Sequence, residues 1–271
     1  MTWIKKIFNR IRIIFKVSSN LKGDGFSGAR MFFGGLWFLI NDTWKSRLRF
    51  SAMISYSGNV HRFYFEDIGD FELLDEVFLE SAYLLQTKLE PNPVILDLGA
   101  NIGVSTIFFA MCWPNAEIHS VEPDPDNFRR LCENTESLVN IVCHSKLIWS
   151  DDDKVPFYVN KHRGSSSSVF KTSSKQDLIH IQAYSLSHFL DQISKDKITL
   201  LKIDVEGSEE AIFSTFKEFE RIKIIAGELH HDYCNTEDLL NALHKNYAQV
   251  LIHPLKDKRD YVITSGIKPE A

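Results

Sequence analysis

Two stretches of the chain carry residues whose types and order suit the handling of a charged, nucleoside-like ligand. The first, Asp97-Leu98-Gly99-Ala100-Asn101-Ile102-Gly103, follows the apolar run Val94-Ile95-Leu96 and leads into Val104-Ser105-Thr106. A glycine-punctuated loop between a strand and a helix lets a ligand approach the main chain. Near Gly103 the N–H groups at the helix start can donate to a carboxylate or phosphate. Nineteen residues beyond Gly103 comes Glu122, at the predicted end of the next strand, where a carboxylate can accept both hydroxyl hydrogens of a ribose. The loop lacks the Gly-x-Gly-x-x-Gly spacing of a dinucleotide site and places an acid before its first glycine, which argues against a nicotinamide oxidoreductase. The second stretch, Leu201-Lys202-Ile203-Asp204-Val205-Glu206-Gly207-Ser208-Glu209-Glu210, closes a later strand and opens a helix.

These residues need a framework, and the surrounding pattern supplies one. From Pro91 onward strands and helices alternate: Val94 to Leu98, Val104 to Cys112, Glu117 to Val121, Asp126 to Ser137, and Ile141 to Trp149. That rhythm is the mark of a parallel, doubly wound α/β sheet. The charged and serine-rich segment Asp151 to Asp177, with short β-like pieces at Val155 to Val159 and Ser168 to Phe170, reads as an insertion over one edge. The alternation resumes with a helix from Leu186 to Ile193, a strand Ile198 to Ile203, a helix Ser208 to Phe219 and a strand Lys223 to Leu229. A helix Thr236 to Lys245 follows, then a hairpin of Ala248 to Ile252 and Tyr261 to Thr264 across the turn Lys256 to Arg259.

Three units are expected: 1–48, a basic amphipathic and apolar segment; 49–90, a hairpin and a helix; and 91–271, the α/β domain. In the second, alternation around Ser57-Gly58-Asn59 predicts strand, turn and strand, and Phe71 to Leu85 predicts a helix with Asp70 as its N-cap. In the first, Lys5, Lys6, Arg10, Arg12, Lys16 and Lys22 all precede the first acid, Asp24, while Ile4, Ile7, Phe8, Ile11, Ile14 and Phe15 recur at helical spacing. Residues 1–17 therefore suit either peripheral contact with an anionic membrane or packing on the α/β domain. The apolar run Met31 to Ile40 is too short to span a bilayer, and Gly34 and Gly35 weaken it as a continuous helix, leaving a buried or interfacial segment. A chain of 271 residues, 44 % hydrophobic, can bury a full core, and its net charge of -5 provides no general attraction for nucleic acid. Four cysteines without a Cys-x-x-Cys pair point to a reducing, cytoplasmic setting, at the inner face of the membrane if the basic arm binds there.

Taken together, Asp97 to Gly103 and Lys202-Ile203-Asp204-Val205-Glu206-Gly207 resemble the two signature blocks of the FkbM family of class I S-adenosylmethionine-dependent methyltransferases. Glu122-Pro123, Trp149-Ser150-Asp151, Gly164 to Ser168, and Glu228-Leu229-His230 sit in matching order, so the resemblance covers Pro91 to His230. It implies a Rossmann-like, seven-stranded sheet of order 3-2-1-4-5-7-6, here with an α/β N-terminal extension, a bound S-adenosylmethionine, and methyl transfer to an oxygen. Carried onto this chain, Asp97, Gly99, Asn101 and Gly103 would line the methionine end, Glu122 the ribose, and Ser150 and Asp151 the adenine edge. Asp152 and Asp153 follow directly, so a solvated acidic loop is the competing reading of Asp151.

Displacement of a methyl group from a sulfonium by an alcohol requires close positioning and a destination for the hydroxyl proton. Asp204, Glu206, Glu228 and His230 all belong at the carboxyl ends of neighbouring strands and are the candidate catalytic groups. His230 is the first choice as general base, with Asp204 to orient it or the cofactor's amino group and His231 as an adjacent rival. A divalent metal held by Asp204, Glu228 and His230 is the less favoured alternative. Glu209 and Glu210 read as helix N-terminal stabilisers. By family analogy the acceptor is a saccharide hydroxyl in a polysaccharide or glycolipid unit. A polyketide or other small natural product is the alternative, and a catalytically silent S-adenosylmethionine-binding protein is the non-enzymatic one.

Overall fold

The computed structural model describes residues 3–40, 49–80, 89–160, 168–171, 176–233, 235–254 and 259–267. Its first element, α1 (Trp3–Asn20), turns Ile14 and Val17 inward and pairs with α2 (Ser27–Ile40). Contrary to the sequence expectation, Gly34 and Gly35 do not interrupt α2. They let it approach its neighbours: a Cβ on Gly34 would lie 2.3 Å from the Phe50 ring, and one on Gly35 would lie 2.7 Å from Ile14. The hairpin follows as β1 (Phe50–Tyr56) and β2 (Asn59–Phe65), turning at Ser57 and Gly58, both with positive φ, as a tight hairpin turn requires.

Next, α3 (Gly69–Leu74) runs into a π-helical turn, Asp75–Leu79. Residues 81–85 of the predicted helix lie outside the described residues. Asp70 is not the N-cap, a position held by Ile68. Instead it is buried inside the first turn, where Oδ2 accepts the main-chain N–H of Glu66 at 2.6 Å and receives Arg130 at 2.7 Å. Its carboxylate thus ties the extension to the helix that carries Arg130.

The α/β region continues with β3 (Val94–Leu98), α4 (Val104–Cys112), β4 (Glu117–Val121), α5 (Pro125–Thr135), capped by Asp124, and β5 (Ile141–His144). The stretch predicted as one strand to Trp149 divides after His144. Its second part, β6 (Leu147–Trp149), joins β7 (Lys154–Asn160) and β8 (Gln176–Ser185) in a separate sheet of order β6-β8-β7. The expected insertion is therefore part of a small sheet, and β8 is a strand outside the expected elements. Residues 161–167, including most of the predicted Gly164 to Ser168 loop, lie outside the described residues. The described residues continue with α6 (Leu186–Gln192), β9 (Ile198–Ile203), α7 (Glu209–Thr215), β10 (Ile222–His230), α8 (Thr236–Asn246), β11 (Tyr247–Pro254) and β12 (Arg259–Ile267); residues 255–258, which include most of the predicted turn, are not described. Cys112, Cys132 and Cys143 are free thiols, and Cys234 lies outside the described residues.

The main sheet has seven strands in the order β11-β12-β10-β9-β3-β4-β5, parallel except for β12. This is the doubly wound order that the resemblance implied. Because β3 pairs with both β4 and β9, the winding reverses at β3, and a crevice opens beyond the strand ends there. One face of the sheet buries Ile95, Leu200 and Ile224 with Phe63, Phe71 and Phe108, so the N-terminal segment shares that core. The other face buries Leu96, Leu201 and Ile225 with Phe189 and Phe213. Each fully buried ring contributes about 1.5–3 kcal/mol of transfer free energy.

Candidate active site

At the β3–β9 switch point lies a cleft enclosing about 840 Å³ with its open mouth. Its floor is the glycine loop. Asn101 holds φ +50 there, and its main-chain N–H donates to Glu122 Oε2 at 2.8 Å. Glu122 Oε1 accepts the N–H of Asp124 at 2.8 Å, so one carboxyl group fixes both the loop and the start of α5. The side-chain oxygen of Asn101 is buried without a protein partner among the described residues, on the cleft wall. An acceptor left in this state fits the donor of a bound ligand.

Packing by itself requires glycine at 99 and 103, and Gly99 also lines the cleft. A Cβ on Gly99 would lie 1.9 Å from the Asp204 carbonyl oxygen, and one on Gly103 would lie 3.0 Å from Leu131. Both have positive φ, at 75° and 93°. Asp97 is buried beneath the loop, where Oδ2 accepts the hydroxyls of Ser105 and Thr106, each at 2.7 Å, and Oδ1 stands 3.2 Å from Lys202 Nζ. Lys202 also donates to the carbonyl of Gly99 at 2.8 Å, joining β9 to the loop. Desolvation of its buried ammonium opposes the charged form, but the negative charges of Asp97, Asp204 and Glu228, with the hydrogen bond to Asp97, together raise the pKa. No role was read for Lys202 in the sequence, although a lysine inside Ile198-Thr199-Leu200-Leu201-Lys202-Ile203 was the available signal.

Asp204 and Glu206 reach the cleft from the loop after β9, with Glu206 at φ +53, a strained conformation for a non-glycine residue. Glu228 and His230 are buried at the end of β10, behind the lining residues. His230 Nε2 is 3.6 Å from Glu206 and 3.9 Å from Asp204, while Nδ1 bonds Glu209 at 2.8 Å. Burial of the imidazole favours its neutral form, yet the hydrogen bond and charge of Glu209, with the charges of Asp204 and Glu206, push its pKa up to about 9. This favours the imidazolium near neutral pH, set behind two carboxylates. Glu209 likewise exceeds its expected helix-end role: fully buried, it accepts the N–H groups of Val205 and Gly207 and orients His230. His231, in the turn after β10, points elsewhere, with Nε2 2.9 Å from Asp260 and Nδ1 at the Thr236 hydroxyl.

Ser150 and Asp151 are not on the cleft wall. The Ser150 hydroxyl bonds Asp151 in an exposed turn, and Lys146, Leu147 and Ile148 line the cleft instead. The small sheet supplies a wall that sequence reasoning missed. Phe157 lines the cleft, the Ser168 hydroxyl donates to the carbonyl of Glu206 at 3.0 Å, and Phe170 stacks on Tyr233.

Residues 97–259 match the methyltransferase FkbM domain. The chain belongs to the FkbM methyltransferase family. Among its relatives, the hexuronic acid methyltransferase AglP of Haloferax volcanii is 24 % identical over 182 residues, 66 % of this chain and 73 % of that protein. The 2-O-methyltransferase NoeI of Sinorhizobium fredii is 26 % identical over 48 % of this chain, a match spanning 59 % of NoeI. In shape the chain is similar to a methyltransferase FkbM from Methylobacillus flagellatus, at 18 % identity and a TM-score of 0.47, covering 96 % of this chain and 60 % of that one. The methyl donor of this FkbM methyltransferase is S-adenosylmethionine.

With Glu122 on the ribose, donor binding should depend on pH. Burial pushes its carboxyl up to about 8, against the opposing pull of the N–H groups of Asp124 and Asn101 and the charge of Lys202. Most molecules therefore hold this proton at pH 7. Ribose hydroxyls donating to the ionised carboxylate favour its loss, so S-adenosylmethionine binding should release a proton, approaching one per site. Calorimetry in two buffers of different ionisation enthalpy measures this release, and Glu122→Gln should abolish it. Zero release by the wild type, or proton uptake, would remove Glu122 from the ribose.

Proposed function

We propose that this FkbM methyltransferase transfers the methyl group of S-adenosylmethionine to a hydroxyl of a saccharide. The observation that carries the reading is that Asp204 and Glu206 border the same cleft as Asn101 and Glu122, so donor-side and acceptor-side groups share one space. The names of two relatives, a hexuronic acid methyltransferase and a 2-O-methyltransferase, support oxygen as the acceptor and a sugar as its bearer.

Bound S-adenosylmethionine supplies an electrophilic methyl carbon on a positively charged sulfur. In this reading Glu122 holds the ribose, Asn101 receives a donor at the methionine end, and Leu147 and Ile148 offer an apolar surface to the adenine. Asp204 and Glu206 accept a hydrogen bond from the acceptor hydroxyl and take its proton as the oxygen–carbon bond forms and the sulfur–carbon bond breaks. The His230 imidazolium, held by Glu209, steadies both carboxylates. A divalent ion is the second reading, because Asp204, Glu228 and His230 each offer one ligand atom and these lie within 4.8 Å of one another. His230 would then give up its Nε2 proton to the site, with Glu209 fixing the ring from behind. Loss of activity in a chelator, restored by an added divalent ion, would select that reading.

The test is calorimetric titration with S-adenosylmethionine, followed by mass spectrometry of saccharide extracts incubated with protein and donor. Saccharides heavier by one methyl group are the expected result. Donor binding without transfer would identify a silent binding protein, and transfer confined to natural-product alcohols such as polyketides would move the acceptor class.

A further inference from the structure

The two N-terminal helices leave an aromatic surface uncovered. On α1, Ile4, Phe8 and Phe15 form one stripe at helical spacing and are 60 %, 69 % and 62 % exposed, with Trp3 beside them at 76 %. Phe26, at 86 %, begins a second stripe that continues along α2 through Phe33, at 68 %, and Trp37 to Ile40, at 76 %. Ring contacts of Phe15 with Phe32 and of Phe32 with Phe33 link the stripes. Exposed large apolar side chains occur singly on most surfaces, but eight gathered on one helical pair mark an interaction site.

The charge around the stripes selects the occupant. The first 40 residues hold seven basic side chains and one acidic one, in a chain whose net charge is -5. Two of the seven face the protein: Arg10 pairs with Glu72, and Lys16 pairs with Asp75. Lys5, Lys6, Arg12, Lys22 and Arg30 are exposed, and Arg30 lies within the second stripe. Two copies meeting through this face would bring like charges together at its rim. An anionic lipid surface instead takes apolar side chains between its headgroups and cations against them. No helix among the described residues is long and apolar enough to cross a membrane, so the pair would lie along the surface.

We infer that α1 and α2 dock this protein on an anionic bilayer, with Phe8, Phe15, Phe33 and Trp37 entering the headgroup layer. The structure extends the site beyond the basic arm to a second helix. The same α1 packs on the α3 segment whose Leu73 and Val77 wall the cleft, so the docked surface and the active site share one element. Docking does not depend on which acceptor is methylated.

Cosedimentation of the full chain with phosphatidylcholine vesicles, with and without phosphatidylglycerol, tests the inference. Binding should appear with phosphatidylglycerol and weaken with salt. Each cation near the surface is worth roughly 1 kcal/mol, or about fivefold in affinity, so Lys5→Gln/Arg12→Gln should lose about 25-fold. Phe8→Ser/Phe33→Ser should bind more weakly still, while both double variants keep wild-type S-adenosylmethionine affinity as proof of folding. Equal binding to neutral and anionic vesicles, or none to either, would overturn the inference. So would self-association in ultracentrifugation that Phe8→Ser/Phe33→Ser abolishes, since it would give the face to a second copy.

Discussion

Asp204→Asn should lower methyl transfer by about 10²–10⁴-fold, the range typical of losing a positioned proton acceptor, while S-adenosylmethionine affinity stays within a few-fold of wild type. Asparagine keeps the volume and one acceptor oxygen but cannot take the acceptor's proton, so a folded variant separates binding from chemistry. Asp204 is suited to this test because its carboxylate is on the cleft wall, whereas Glu228 is buried behind it. His230→Ala provides the companion measurement. It removes the imidazolium 3.6 Å from Glu206 and 3.9 Å from Asp204, taking a positive charge away from both carboxylates, and turnover should fall with donor affinity retained. Donor affinity is read by calorimetry and turnover by methyl incorporation at saturating donor. Near-normal turnover by folded Asp204→Asn would leave catalysis to Glu206 or to positioning alone.

Lys202→Met should have the largest effect on stability, a loss of about 3–5 kcal/mol, the cost expected when one partner of a buried ion pair is removed. Lys202 is 1 % exposed and Asp97 fully buried, with 3.2 Å between them, so methionine would leave the carboxylate uncompensated beneath the glycine loop. The Gly99 carbonyl would lose its donor in the same step. Asp97→Asn/Lys202→Met removes both charges and should recover part of the loss, because the two substitutions act on one interaction. Urea denaturation of the two variants and the wild type measures the coupling. A Lys202→Met protein within about 1 kcal/mol of wild type would mean that the pair contributes little to folding.

Much of the architecture was legible in the chain because it depends on local pattern. Apolar runs of strand length, amphipathic runs of helix length and the glycines between them placed β3, α4, β4, β9 and β10 in order, and the signature blocks marked the cofactor loop. The structure departs from the expectation at β8, a strand that pairs with β6 and β7 away from the main sheet, and where close packing makes glycine compatible with a helix, as at Gly34 and Gly35. Asp97, Asn101, Glu122, Asp204, Glu206, Glu228 and His230 were all named from the sequence, and the fold brings them to one end of the sheet. Their division of labour was not legible. Whether Asp204 and Glu206 line the cleft or His230 does depends on how the loop after β9 and the end of β10 direct their side chains. The charge state of His230 depends on Glu209, a residue 21 positions away that local reasoning assigned to a helix end. The pairing of Lys202 with Asp97 crosses more than a hundred residues of chain, and the replacement of Ser150 and Asp151 by Leu147 and Ile148 on the cleft wall follows from where β6 leaves the main sheet. Periodicity reports the environment along one element, whereas burial, charge pairing and access to a cleft are set between elements, and only the tertiary structure decides them.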